Sequence, residues 1–301
     1  MVAFEELPPD LLDELATAGL DPRAVYDAVL DALAEDLPAA GDVDVTSAAT
    51  IPADAQGVGV FAAREDGVVV GLGVAALVFH CVLGDRVEVG HRLADGSRVR
   101  PGDVVLEVSG PTRGLLTAER TALNYATHLS GVATATSHWV AALSGTDAKV
   151  LDTRKTLPTY RALQKYAVRC GGGHNHRGSL TDMALVKDNH KIAAGGVVPA
   201  YLAVRAAYPD VPVEVEVDSL EELRELLEAG CGHVLLDNMT TDQLRSAVEL
   251  TAGRAVLEAS GGMSLERARE VAETGVDHIS VGALTHSVKV FDLGLDLTSS
   301  R

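Results

Sequence analysis

Residues 152–191 read DTRKTLPTYRALQKYAVRCGGGHNHRGSLTDMALVKDNHK, and the reading of this stretch decides the fold. Just before it, Lys149–Leu151 (KVL) reads as a short buried strand, and Thr153-Arg154-Lys155-Thr156 follows that strand directly. Pro158 suits a helix start. Leu163, Tyr166, Ala167 and Cys170 then recur at i, i+3, i+4 and i+7, the stripe of a helix packed on one face. Gly171-Gly172-Gly173 stops that helix and lets backbone approach a ligand closely. A polar loop with Asn175, His176 and Arg177 leads to a second apolar strand, Ala184-Leu185-Val186, which delivers Lys187 at its end. Cations therefore cluster beyond the carboxyl ends of two successive strands, where α/β sheets bind ligands.

Charge sharpens this reading. The 301 residues carry 25 Lys+Arg against 43 Asp+Glu, a net charge of −18. Within 152–191 eight basic residues face three acids, so the stretch is +5 and the remainder −23, with His174, His176 and His190 beside the cations. Like charges crowded together repel one another, and such a cluster usually has an anionic partner; a solvated basic face is the plain alternative. Nucleic acid is excluded as that partner, because the surrounding field is negative and no aromatics interleave with the cations.

Outward from this stretch, residues 7–36 carry two helical stripes, with Pro22 opening the second, and Asp42–Pro52 reads as a polar loop. Short strands at Gly57–Phe61, Val68–Val70, Arg86–Val89, Ser97–Val99 and Val104–Val108 surround a helix over Val74–Leu83. These make an α+β open-sandwich domain over residues 1–130. The helix Thr117–His138 follows, interrupted at Gly131, with Arg120 and Asn124 one turn apart and His128 a further turn along; from pattern alone this is equally an exposed polar face.

From residue 131 to 285 strand and helix alternate. Further strands are expected at Val213–Val217, Val234–Leu236, Val256–Ala259 and His278–Val281, and capping boxes at Ser219/Glu222 and Thr240/Gln243 open the helices between them. The spacing fits an irregular, TIM-like α/β barrel, and residues 286–301 form a tail returning to the amino-terminal domain. In VEVEV (213–217) the barrel turns Glu214 and Glu216 inward, Glu216 at the mouth facing Lys155 and Lys187; a solvated edge strand is the plain alternative. Asp237 ends the next strand, and Glu258 and Ser260 the one after. Ser260-Gly261-Gly262 and Ser280-Val281-Gly282 offer amides to a phosphate at the barrel mouth. No Ser-His-Asp or Cys-His nucleophile pair is visible, which suits a reaction whose substrates bring the charge.

With 47% hydrophobic but only 4% aromatic residues, the core is built from Val, Leu and Ala. Cys81, Cys170 and Cys231 are odd in number and widely spaced, as reduced cytosolic thiols are. The start, MVAFEELPPD, is acidic without an apolar signal core, and no run approaches a membrane span. A soluble cytoplasmic protein is expected.

The segments TRKTLP, QKYAV, GGGHNHR and LVKDNH, in this order and spacing, closely resemble quinolinate phosphoribosyltransferase (nicotinate-nucleotide pyrophosphorylase, carboxylating). Leu157 departs from the family, which often has a second Thr there, and so does Gly178-Ser179-Leu180; neither change removes a charged group. The resemblance implies transfer of phosphoribosyl from phosphoribosyl pyrophosphate to quinolinate. Decarboxylation follows, giving nicotinate mononucleotide, pyrophosphate and CO2 in de novo NAD biosynthesis, with Mg²⁺ as cofactor. It implies that Arg154, His176, Arg177 and Lys187, with Arg120 from a partner subunit of a homodimer, hold the pyridine carboxylates. Lys155, beside Thr153, binds the phosphoribosyl donor, and Glu216 and Asp237 take the ribose hydroxyls, the metal, or both. Ser260, Gly261, Gly262, Ser280 and Gly282 cradle the 5′-phosphate, and assembly beyond a dimer is left open. Two alternatives stay in view: a related transferase acting on another heterocyclic acid, and a Schiff-base barrel lyase using Lys187.

Overall fold

A computed structural model describes residues 1–39 and 41–299, and the chain divides into two units. The first joins Met1–Ala135 with Ala162–Gly171 and Val288–Arg301; the second joins Thr136–Arg161 with Gly172–Ser287.

In the first unit, α1 (Pro9–Thr17) and α2 (Pro22–Asp36) follow the two expected stripes, and Asp21 caps α2 by accepting from the amides of Arg23 and Ala24. The expected polar loop at 42–52 is instead partly helical. In α3 (Val45–Thr50) the Asp44 carboxylate accepts from the amides of Thr46 and Ser47, a local cap that outweighs the polar composition. Strands β1 (Gln56–Ala63) and β2 (Gly67–Val69) lead to α4 (Leu72–Leu83). That helix starts two residues before its stripe, because the Asp95 carboxylate accepts from the amides of Gly71 (2.9 Å) and Leu72 (3.0 Å). Strands β3 (Glu88–Arg92), β4 (Ser97–Val99) and β5 (Val104–Pro111) complete this part before the long helix α5 (Thr112–Ala142).

The second unit takes the end of α5 from Thr136 and continues with β6 (Lys149–Leu151). Helix α6 (Arg161–Cys170) starts three residues after Pro158, since Thr159 takes a left-handed φ of 61° that a continuing helix cannot hold. All but the first residue of α6 belong with the first unit, where Tyr166 donates to Asp95 at 2.9 Å. The second unit resumes with β7 (Ala184–Val186), α7 (Asp188–Ala194), α8 (Val197–Ala207), β8 (Val213–Val217), α9 (Leu220–Glu228) and β9 (His233–Asp237). It closes with α10 (Thr241–Thr251), β10 (Val256–Ser260), α11 (Leu265–Ala272), β11 (His278–Ser280) and α12 (Ala283–His286). The Thr240/Gln243 capping box is present. Ser219 accepts from the Glu222 amide, but the Glu222 carboxylate accepts from Lys191 and the Asp218 amide, not from the Ser219 amide a capping box needs.

Six parallel strands in the order β6-β11-β10-β9-β8-β7 form the second unit's sheet. This is the expected α/β arrangement; among the described residues no ladder joins β7 back to β6 to close the barrel. Strand β8 is buried along its whole length, so its glutamates are not on a solvated edge. In the first unit an antiparallel sheet runs β12-β1-β5-β3, with β12 (Leu293–Ser299) beside β1, and β2 pairs with β4. Among the described residues no helix is long and apolar enough to cross a membrane.

Helix α5 runs unbroken through Gly131, against the expected interruption, and the glycine there has a packing cause. A Cβ there would lie 2.3 Å from the carbonyl oxygen of Lys289, on the segment held by the Phe291 amide donating to Thr127 O at 3.0 Å. Alanine favours a helix over glycine by about 1 kcal/mol, but a collision with fixed backbone costs more. Gly131→Ala is therefore expected to lower stability by about 2 kcal/mol net, measured by denaturant unfolding.

Candidate active site

The site grows from a buried carboxylate that the sequence reading did not single out. Asp152 follows β6 directly, is 0% exposed, and accepts from the His176 amide (2.8 Å) and from Asn175 Nδ2 (2.5 Å). A buried carboxylate is costly unless so satisfied. Here its partners stitch the glycine-rich loop alongside β6, and a parallel bridge links Leu151 with His174. Arg161 fastens the same region, donating from Nε to Thr156 Oγ1 and from Nη1 to the Gly178 carbonyl, each at 3.1 Å. The Arg154-Lys155 and His176-Arg177 pairs are thereby brought to one mouth.

A cavity of about 250 Å³ lies there. Arg154, Lys155, His176, Arg177 and Lys187 line it together with Thr153, Glu258, Ser260 and Ser280. Arg154 Nε is buried and has no hydrogen-bond partner. Burial first, then the Arg154 cation, pull the pKa of Arg177 below the ordinary arginine value, opposed by Glu214 and Asp182. Two guanidinium groups set close together with a donor unused call for an anion between them.

The carboxylates behave as the inward reading of β8 required. Glu216 forms an ion pair with Lys187, whose side chain is 48% exposed. Glu214 lies deeper, 2.8 Å from His176 Nε2, with Glu258 at 3.4 Å from the same nitrogen. Burial first, then Glu214, push the Glu258 carboxyl up to about 8, while His176, Ser280 and Lys187 act the other way. Asp237, at the end of β9, accepts from its neighbour Asn238 Nδ2 at 2.7 Å.

The two glycine turns lie where expected, at the ends of β10 and β11. Gly261 has a φ of +87°, and a Cβ on it would lie 2.2 Å from Asn238 Oδ1, so only glycine fits that turn. Gly262, also at positive φ, is exposed, with nothing within 4 Å of a would-be Cβ. A Cβ on Gly282 would meet Lys155 Cδ at 3.0 Å and His286 Nε2 at 3.1 Å, so the last strand's turn and Lys155 are direct neighbours. Thr285 Oγ1 donates to the Lys155 carbonyl at 2.7 Å and fixes that approach.

Thr285 and His286, which sequence reasoning missed, support the site from behind Lys155 and Gly282. Their only signal was a hydroxyl and an imidazole within one helical turn of Gly282. Arg120 is not in this group: it is an exposed residue of α5 in the first unit. Glu216 and Asp237, expected to hold Mg²⁺, do not belong to the three-member group of candidate ligand atoms found among the described residues. That group is His176, Glu214 and Glu258, within 4.8 Å of one another.

By fold and site this is an α/β protein with a cation-lined cavity at the carboxyl ends of its parallel strands. Residues 132–296 match the quinolinate phosphoribosyl transferase C-terminal domain, and residues 44–130 match the N-terminal domain of the same enzyme. The chain belongs to the quinolinate phosphoribosyltransferase family. It is 52% identical over 278 residues to the nicotinate-nucleotide pyrophosphorylase (carboxylating) of Mycobacterium leprae, covering 91% of this chain and 97% of that protein. The chloroplastic nicotinate-nucleotide pyrophosphorylase (carboxylating) of Arabidopsis thaliana is 41% identical over 285 residues, 88% of this chain and 80% of that protein. The solved structure of NadC from Streptococcus pyogenes superposes with a TM-score of 0.88 at 40% identity, covering 94% of this chain and 99% of that one.

Proposed function

We propose that the chain transfers the phosphoribosyl group of phosphoribosyl pyrophosphate to the ring nitrogen of quinolinate and releases pyrophosphate, CO2 and nicotinate mononucleotide. Family membership supports the reaction class. The observation that carries the substrate is the convergence of Arg154, Arg177 and Lys187 on one cavity, with Arg154 Nε buried and unpaired. A planar dicarboxylate supplies acceptors that a neutral heterocycle lacks, and each charge-assisted bond contributes about 1.5–3 kcal/mol.

In this reading Arg154, Arg177 and Lys187 orient the two pyridine carboxylates, and His176 completes the wall. Lys155, with Thr153, holds the pyrophosphate that departs. Ser260, Gly261, Gly262, Ser280 and Gly282 receive the 5′-phosphate. As the sugar C1–oxygen bond breaks, positive charge grows on that carbon, and Glu216 and Asp237 stabilise it while binding the ribose hydroxyls. The ring nitrogen then bonds to C1 and becomes cationic. Loss of the adjacent carboxylate leaves an electron pair on the ring carbon that this charge stabilises, and the carbon takes up a proton. No electron-sink cofactor enters the balance.

Mg²⁺ belongs to the same proposal. Glu216 and Asp237 are hard oxygen donors on neighbouring strands near the phosphate turns, the donor set magnesium takes when substrate phosphates complete its shell. When bound it neutralises pyrophosphate charge. The cytoplasm is the proposed location, supported by three free cysteines. The lyase alternative is disfavoured by a specific contact: Lys187 is half exposed and ion-paired with Glu216, whereas imine formation needs a desolvated amine.

We further propose a homodimer in which the partner's Arg120 completes the carboxylate site. An assay of purified protein for nicotinate mononucleotide and pyrophosphate tests the reaction. Equimolar products are expected from quinolinate with Mg²⁺, none from nicotinate, and a rate collapsing on chelation and returning with added Mg²⁺. Turnover of nicotinate at the quinolinate rate would overturn the substrate assignment.

A further inference from the structure

Below the cationic wall lie two carboxylates that the proposed reaction does not use. Glu214 is 4% exposed and Glu258 3%, and both face His176 Nε2. Apolar side chains at these positions would close a sheet core at less cost, since buried carboxylates are expensive unless paired. Their placement therefore calls for a purpose beyond folding.

The imidazole supplies it. The Arg177 amide donates to His176 Nδ1 at 2.8 Å, and an amide only donates, so Nδ1 bears a lone pair. The ring proton then sits on Nε2 and points at Glu214. Both ring nitrogens are thus engaged inside the protein, and no N–H remains for a substrate carboxylate. The His176 amide is in turn held by Asp152 at 2.8 Å, and Arg177 Nη1 by the Met183 carbonyl at 3.1 Å.

We propose that Glu214 and Glu258 are positioning residues that hold His176 as a neutral post, and that this post aims Arg177 at the substrate carboxylate instead of binding it. The proposal rests on quinolinate being the substrate. It departs from the expectation that His176 itself grips a carboxylate.

Two measurements decide it. In protein labelled with ¹⁵N-histidine, with His176 assigned by its loss in His176→Asn, the ring is expected as the neutral Nε2–H tautomer, unchanged when quinolinate binds. An imidazolium at neutral pH, an Nδ1–H tautomer, or an Nε2 resonance that moves on quinolinate binding overturns the proposal. In kinetics, Glu214→Leu is expected to raise the quinolinate KM by about tenfold or more while the phosphoribosyl pyrophosphate KM holds, and Glu214→Gln, which keeps the acceptor, to stay within about threefold of the parent. A quinolinate KM that falls or holds in Glu214→Leu, as a freed Nε2 donor would give, also overturns it. If Glu214→Leu does not fold, the resonances of the parent protein still decide. A parent that turns over no quinolinate sinks the proposed function instead, and the ring's state in the free protein remains readable.

Discussion

Lys155→Ala is expected to fold as the parent does and to lose about 10²–10³-fold in kcat, the usual cost of removing one donor aimed at developing negative charge. The side chain is exposed, and its residue's anchors are backbone atoms: the amide donates to Thr153 Oγ1 at 3.0 Å and the carbonyl accepts from Thr285. Truncation at Cβ breaks neither, so unfolding free energy should stay within about 0.5 kcal/mol. Glu216→Ala is expected to lose turnover on the same scale for the opposite charge. It also releases Lys187 and empties a buried position, so a stability loss of about 1–3 kcal/mol accompanies it. Product formation at saturating substrates, with denaturant melts of both variants, separates the two effects. A near-parental rate in either variant removes that residue from the proposed chemistry.

Legibility in the sequence followed the range of the interactions involved. The parallel strands of the second unit were legible because each is a short apolar run ended by a polar residue, and Glu214 and Glu216 alternate with valines that mark the buried strand. The site's positive charge was legible because local composition inverts against an acidic chain. What tertiary contact decides was not legible. Asp152 reads as one more acid in a charged stretch until the loop bearing Asn175 and His176 folds over it. Thr285 gains its meaning only from the Lys155 carbonyl 130 residues away in sequence. Helix α6 reads as the next helix of the second unit, but Tyr166 donates to Asp95 and Gln164 bonds with His128, both of the first. Periodicity says that a helix has a buried face; it does not say against what. Gly131 shows the same limit, since its need for close approach comes from the backbone of Lys289.

Mixing inactive variants gives the reach of Arg120 into a partner's site a large signal. Arg120→Ala removes an exposed side chain of α5, so the fold should persist while quinolinate turnover falls to about the Lys155→Ala level. In an isologous dimer each site takes Lys155 from one chain and Arg120 from the other. A heterodimer of the two variants therefore holds one site with both side chains and one with neither. Random reassembly of equal amounts makes half the dimers mixed, so activity should recover to about a quarter of the parent's, from a level near zero in either variant alone. The recovered activity should keep the parental quinolinate KM, because the rebuilt sites are chemically complete. If instead Arg120 acts within its own chain, every site in the mixture lacks one of the two cations, and reassembly restores nothing.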